Sequence, residues 1–166
     1  MTVEKVKQPP WPPEPMVLLL DELSDLTLDD LSALDQRFIL SVGAVRGTCD
    51  GSALAAALAV DLLVAAPDAV FGRPGKWADI VIRRGTGIAG RKVMAYLTMT
   101  NRTIDAALAG KWGIVTSIAG DPVEAALGLA GKIAGRSQVA VATILRQCRL
   151  GTAKDYIDTR LTGAVR

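Results

Sequence analysis

The sequence predicts an α/β domain built on a mostly parallel sheet. Three observations carry that prediction. Residues 38–45 are almost continuously apolar with no clean alternation, as expected of a strand covered on both faces. Residues 53–60 hold no polar side chain, so a helix there is buried all round. Residues 16–20, 27–36 and 38–45 read as strand, helix and strand, a crossover that leaves the two strands parallel.

The elements follow in order. Five prolines fall between Pro9 and Pro15, so residues 1–15 are expected to be a tail without helix or inner strand. Trp11 sits among them, either as an anchor that docks on the body or another subunit, or as part of a solvated arm. Residues 16–166 are expected to form a single domain, with C-terminal helices from about residue 121. In the first helix Thr27 is the cap and Asp30 completes a capping box. Leu28, Leu31 and Leu34 recur there at helical spacing. Gly47 and Gly51 bracket a turn before the buried helix, and a strand pair follows over residues 61–74. Residues 84–90 are glycine-rich but do not follow a clear strand, which argues against a dinucleotide loop. Helices are expected over 91–98 and 103–111, and a strand over 114–118. Asp121-Pro122-Val123-Glu124 is a helix start with cap, proline in the first turn and an acid at the third position. That helix runs to about residue 134. Ser137 caps the next, which ends near Gly151, and residues 152–161 read as one more short helix.

Composition bounds the function. The chain has 166 residues, no histidine and two cysteines, Cys49 and Cys148, far apart in sequence. Without histidine a Ser-His-Asp triad is impossible, and zinc or iron sites are disfavoured, so no metal is expected. The N-terminus lacks a basic region followed by an apolar one, and no apolar run approaches membrane-spanning length. A cytoplasmic chain with free thiols is the expectation. Acids outnumber bases in residues 1–40 and bases outnumber acids in the rest. The bases are scattered, which suits either solvated surface or a phosphate-rich ligand. No nucleic-acid motif is present.

The turn before the buried helix brings chemistry into view. N–H groups at a helix start can hold an anion, or the oxygen that becomes negative when a carbonyl is attacked or enolised. Such turns are common and oxyanion holes rare, so the turn alone implies no activity. The run from Ala44 to Pro74, A-V-R-G-T-C-D-G-S-A-L-A-A-A-L-A-V-D-L-L-V-A-A-P-D-A-V-F-G-R-P, resembles the signature of the crotonase superfamily, the enoyl-CoA hydratase/isomerase fold. Asp105-Ala106-Ala107 and Trp112-Gly113-Ile114-Val115 continue the match, so the resemblance covers roughly residues 17–150. It implies the ClpP/crotonase-like spiral of β-β-α units, shortened at both ends.

The resemblance also implies a site. The family's first oxyanion donor falls on the backbone N–H of Ser24, within Leu23-Ser24-Asp25-Leu26, and its second on that of Ser52. Gly51, Pro74, Lys76 and Trp77 fall where the family lines its substrate pocket. The two glutamates typical of the hydratases fall on Ala55 and Gly75, so both carboxylates are missing. Neither residue can move a proton. Asp79 is the carboxylate best placed to act as acid or base, with Lys76, Arg83 and Arg84 near it in sequence. Its competing role is a surface residue, and that of Trp77 is packing. Asp50 reads as a turn residue, because a charge there would oppose an oxyanion. Gly51-Ser52-Ala53 is also similar to the nucleophile segment of Clp-type serine peptidases, but no histidine is available. Cys49 lies near the helix start, where a thiol pKa can fall, and reads as a free buried cysteine.

Two readings stand at this stage. In one, the chain acts on an acyl-CoA or an acyl carrier protein by oxyanion stabilisation, as in dehydration, isomerisation or decarboxylation. No cofactor is expected beyond coenzyme A as part of the substrate. In the other, it is a non-catalytic partner of a polyketide-type biosynthetic enzyme, similar to short crotonase-like accessory proteins. The resemblance further implies a homotrimer or a hexamer. The apolar positions Val139, Val141, Ile144 and Leu145 are candidates to be covered by another subunit.

Overall fold

The fold was analysed in a computed structural model, which describes residues 15–20, 26–36 and 39–149. The expected tail up to Glu14, the Ser24 donor, Phe38 and everything after Arg149 lie outside the described residues. That includes the end of the last helix near Gly151 and the expected helix over 152–161.

Strand β1 (Met16–Leu19) is followed by helix α1 (Leu28–Asp35) and strand β2 (Ser41–Val45). The capping box of α1 forms as its sequence dictates. Thr27 Oγ1 accepts from Asp30 N–H at 3.2 Å, and Asp30 Oδ2 accepts from Thr27 N–H at 2.8 Å. Leu31 and Leu34 of α1 are buried. Strands β1 and β2 are parallel, with Met16 opposite Ser41. Strand β3 (Thr48–Cys49), helix α2 (Gly51–Ala57), strand β4 (Leu62–Ala65) and strand β5 (Val70–Gly72) follow. A 3-10 turn (Gly75–Trp77) leads into helix α3 (Ala78–Ala89), then helix α4 (Arg91–Thr100). Strand β6 (Thr103–Asp105), helix α5 (Ala106–Lys111), strand β7 (Ser117–Ile118), helix α6 (Pro122–Ala134) and helix α7 (Gln138–Arg149) complete the order.

Among the described residues the strands form two sheets. One is the parallel sheet β1-β2-β4-β7, the other the sheet β3-β5-β6. In the smaller sheet β3 and β5 are parallel and β5 and β6 antiparallel. The larger sheet explains the apolar run that lacks alternation. Met16, Leu18, Val45, Leu63 and Ala65 face one core together with α1, α2 and Trp77. Val17, Val42, Ala44 and Val64 face a second core, filled by Ala126 and Ala130 of α6 and Val141 and Leu145 of α7. Both faces are dry, so neither set of alternate positions can be polar. Ala126 and Ala130 are fully buried, which lets α6 approach the sheet closely.

One polar network crosses this apolar interior. Asp61, just ahead of β4, accepts from Ser41 N–H at 2.8 Å and from Ser41 Oγ at 2.8 Å. Arg149, at the end of α7, donates to it through Nε at 2.9 Å and Nη2 at 2.7 Å. The Arg149 guanidinium also reaches the Leu34 carbonyl at 3.4 Å. The two sheet strands, α1 and α7 are thereby fastened at one point.

Several expectations need correction. The expected helix over 103–111 divides into β6 and α5. Asp105 is extended (φ −77°, ψ 168°) and caps α5 by accepting from Leu108 N–H at 2.7 Å. Ile104 before it pairs with Phe71 across the sheet. Residues 84–90, noted for their glycines but given no element of their own, lie within α3 and its cap. Gly85 is buried there, and a Cβ on it would overlap the Met94 side chain. That glycine serves the close approach of α3 and α4. The buried helix is α2, ending at Ala57, because Ala59 and Val60 N–H both turn back to the Ala56 carbonyl. The expected strand over 114–118 shortens to two residues, since Ile114 and Val115 N–H close the end of α5 on the Ala109 carbonyl.

Candidate functional site

The start of α2 is held from three sides. Gly51 opens the helix at φ +49°, a left-handed conformation that glycine adopts without steric cost. Its N–H donates to the Arg73 carbonyl at 3.2 Å, which ties the turn to the end of β5. Arg73 itself sits at φ +48°, costly for a residue with a side chain. Its guanidinium lies 3.7 Å from the Asp50 carboxylate, a half-exposed pair that bridges the same two segments. Behind them Trp77 is 9% exposed, and a Cβ on Gly51 would lie 3.8 Å from its Cδ1. The indole ring therefore forms the floor against which the turn rests.

Of the residues expected at the site, Gly51, Ser52 and Trp77 are brought together around this turn. Pro74 is buried and begins the 3-10 turn that carries Trp77. Ser52 is the second residue of α2 and half-buried, so its backbone N–H belongs to the first turn, where amides point out of the helix start. Lys76 is exposed on the 3-10 turn. Asp79 stands in the first turn of α3 with its side chain 81% exposed, paired to Arg83 one turn on at 2.6 Å. Cys49 is buried in the core and Cys148 is exposed.

Ala55 and Gly75, the positions where the resemblance places the hydratases' glutamates, differ in their surroundings. Ala55 is fully buried within the apolar core, where a longer side chain has no room and an ionised one no solvation. Gly75 has open space around it, but at φ +54° it sits where side-chain-bearing residues are strained.

A cavity of about 590 Å³ lies at the opposite end of α2. Leu58, Val60, Asp61, Arg84, Thr116 and Arg149 are among its walls, and among the described residues none of the expected site residues is. Sequence reasoning missed Arg73 as a site residue. The F-G-R-P segment was visible, but nothing in it announces a left-handed arginine whose carbonyl anchors the neighbouring turn.

Comparison with known proteins agrees with this architecture. The chain is 36% identical over 104 residues to a mevalonyl-coenzyme A hydratase of Beauveria bassiana, a match covering 58% of this chain and 37% of that protein. It is 32% identical over 117 residues to a probable mitochondrial enoyl-CoA hydratase of Arabidopsis thaliana, covering 66% of this chain and 39% of that protein. A cyclohexa-1,5-dienecarbonyl-CoA hydratase of Thauera aromatica is 38% identical over 88 residues, with 51% and 34% covered. The chain thus spans less than half the length of each of these curated relatives. No family model matches the sequence. Among solved structures, a monofunctional enoyl CoA isomerase from M. smegmatis superposes with a TM-score of 0.71 at 21% identity, covering 87% of this chain and 76% of that one. The structure of ThnE from S. clavuligerus superposes at 0.73 and 18% identity, covering 91% and 81%. The parallel sheet, the strand–turn–helix from Ser41 to Ala57 and these structural neighbours show that the chain has the crotonase fold, that of the enoyl-CoA hydratases and isomerases.

Proposed function

We propose that this chain binds an acyl thioester with its carbonyl oxygen over the start of α2, and stabilises the enolate formed there. The observation that carries the reading is the fixed turn: Gly51 tied to Arg73 and backed by Trp77, presenting the Ser52 N–H at a set place. An oxyanion donor contributes most when it is pre-positioned and needs no reorganisation during the reaction. The Ser24 N–H, the first donor by the resemblance, is the other donor in this reading. Pro74, Lys76 and Trp77 line the path of the thioester, and a phosphate-bearing carrier arm, from coenzyme A or a carrier protein, suits the exposed Lys76. A homotrimer or hexamer is the assembly that goes with this reading.

Dehydration and isomerisation both need a group that moves a proton. Ala55 and Gly75 provide none, and Asp79 is engaged by Arg83 on an exposed face. Decarboxylation of a malonyl-type thioester, with the carboxylate on the α-carbon, asks less. The electron pair of the breaking C–C bond moves into the thioester carbonyl, carbon dioxide leaves, and the enolate oxygen rests on the backbone donors. Water then protonates the α-carbon. Of the three reactions this is the one the residues support best.

The test is titration of the protein with acetyl-CoA, an enoyl-CoA and malonyl-CoA, with products followed by mass spectrometry. Ser52→Pro removes the proposed N–H at a position where the first helical turn tolerates proline. It should cost about 10²–10³ in kcat. Asp79→Ala should leave decarboxylation unchanged. A thioester that is turned over with equal rate by wild type and Ser52→Pro would sink the oxyanion role. The exposure of Asp79 favours a second reading, an accessory protein that holds a thioester, or only a partner enzyme, without chemistry of its own. Binding without turnover of any substrate in the presence of the biosynthetic partner would select it.

A further inference from the structure

Beneath α7 runs an apolar groove of about 510 Å³ that the proposed function does not use. Leu40, Leu62, Ile133, Val141, Ile144 and Leu145 form its walls, with Arg136 at the rim. Ile144 remains 60% exposed, an unusual position for a large aliphatic side chain beside other apolar groups. We propose that this groove is the seat of the chain's own proline-rich N-terminal segment, with the Trp11 indole as its anchor.

Four observations converge on that occupant. The first is where the chain enters the domain. Met16 N–H donates to the Leu40 carbonyl at 3.1 Å, so the segment before β1 arrives beside a wall of the groove. Leu40 and Leu62 both stand at the end of the larger sheet where β1, β2 and β4 begin. The second is reach. Trp11 lies four residue steps from Pro15, about 12 Å at the roughly 3.1 Å per residue of an extended proline-rich chain. The groove follows α7 from Ala140 to Cys148, also about 12 Å at 1.5 Å per residue. The third is chemistry. Next to its attachment the tail offers an aromatic group, Trp11, and an acid, Glu14, against mostly aliphatic walls and the exposed Arg136, while the one acid of the lining, Asp61, is paired to Arg149. The fourth is cost. Five prolines restrict the segment before it docks, so little freedom is lost on docking, and the covalent link holds it near its seat.

The experiment is fluorine NMR of the full chain labelled with 5-fluorotryptophan. Its three tryptophans give three resonances, and the one lost in Trp11→Phe is Trp11. The expected result is a Trp11 resonance shifted from that of a free peptide of residues 1–15, protected from a soluble quencher and independent of protein concentration. Ile144→Glu should return it to the free-peptide position while Trp77 and Trp112 stay where they are. Those two resonances also report that the variant is folded. As a second variant, Trp11→Ala leaves the body untouched and should raise amide exchange along α7. A Trp11 resonance at the free-peptide position in the intact protein overturns the proposal. A shift that grows with protein concentration overturns it too, since the occupant is then the tail of a second copy. So does a change of oligomeric mass in Ile144→Glu with Trp11 unmoved, or exposure of the groove only on deletion of residues 152–166.

Discussion

Replacing Arg149 with Met tests whether α7 is fastened as described. The Asp61 carboxylate is 7% exposed and the Arg149 side chain 18%. Arg149 donates to it once from Nε and to both oxygens from Nη2, and Ser41 supplies two more bonds. Removing the guanidinium leaves a buried carboxylate with only its Ser41 bonds and none of the countercharge. Breaking a buried pair from one side costs about 3–5 kcal/mol. Because Ser41 N–H and Oγ remain, the loss should fall near the lower end, about 3 kcal/mol. For a chain of this size that is about 6–12 °C in Tm. The Asp79–Arg83 pair is the control, with side chains 81% and 72% exposed, and Arg83→Met should cost less than about 1 kcal/mol. Urea titration followed by circular dichroism reads both, with the m-value checking that the unfolded state is unchanged. Asp61→Asn in the Arg149→Met background should recover part of the loss, since it removes the unpaired charge and keeps an acceptor for Ser41. The reasoning is refuted if Arg149→Met and Arg83→Met cost the same, or if the double variant is less stable than Arg149→Met alone.

Three further outcomes are expected. Gly51→Ala should cost about 1–2 kcal/mol from its left-handed backbone alone, and Trp77→Phe should not rescue it, because a Cβ would only touch the ring at 3.8 Å; chemical denaturation of the single and double variants checks this. Gly85→Ala should cost about 1–3 kcal/mol by forcing α3 from α4, and Met94→Ala in the same chain should relieve it, as read from Tm. Asp121 caps α6, and the N–H of Glu124, then the Arg46 guanidinium, hold its carboxyl below the ordinary value of 3.8. A lowered folded-state pKa gives stability that is present above the unfolded value and lost as pH falls through the folded one. Asp121→Asn should therefore flatten the acid side of the stability profile below about pH 4 and leave its shape at neutral pH unchanged, as measured by denaturation across pH.

What the sequence revealed divides along physical lines. The capping box at Thr27 and Asp30 and the start at Asp121-Pro122 were legible because a cap is made by neighbours in sequence. The strand was legible in the apolar run because burial on both faces leaves a mark on every residue of Ser41–Val45, although the run began before the strand does. The division of 103–111 was not, since β6 exists by pairing with β5, some thirty residues away, and Ile104 carries no sign of it. Gly85 read only as one glycine of a glycine-rich stretch, because its reason, the Met94 side chain packed against it, comes from the next helix. At the candidate site, Gly51, Ser52 and Trp77 could be named from the resemblance. Arg73 could not, because its part is played by a carbonyl and a backbone angle that no residue type encodes. The absence of glutamates at 55 and 75 was plain in the letters, but that one position is closed by packing and the other by backbone conformation was not.

The passage of the chain between its two sheets sets where this protein can accept change. Strand β2 leaves the larger sheet at Val45, turns at Gly47 and enters the smaller one at Thr48, so the start of α2 hangs from β3 and β5 while its body rests in the main core. An insertion between α6 and α7 would lengthen a connection that touches neither β3 nor β5. A single residue added between α4 and β6 would shift the pairing of Ile104 with Phe71, and through Arg73 would move Gly51. Evolution and engineering should therefore find the chain permissive to length in the connection between α6 and α7. The stretch from Asn101 to Thr103 should tolerate no change of length, although it lies outside every motif.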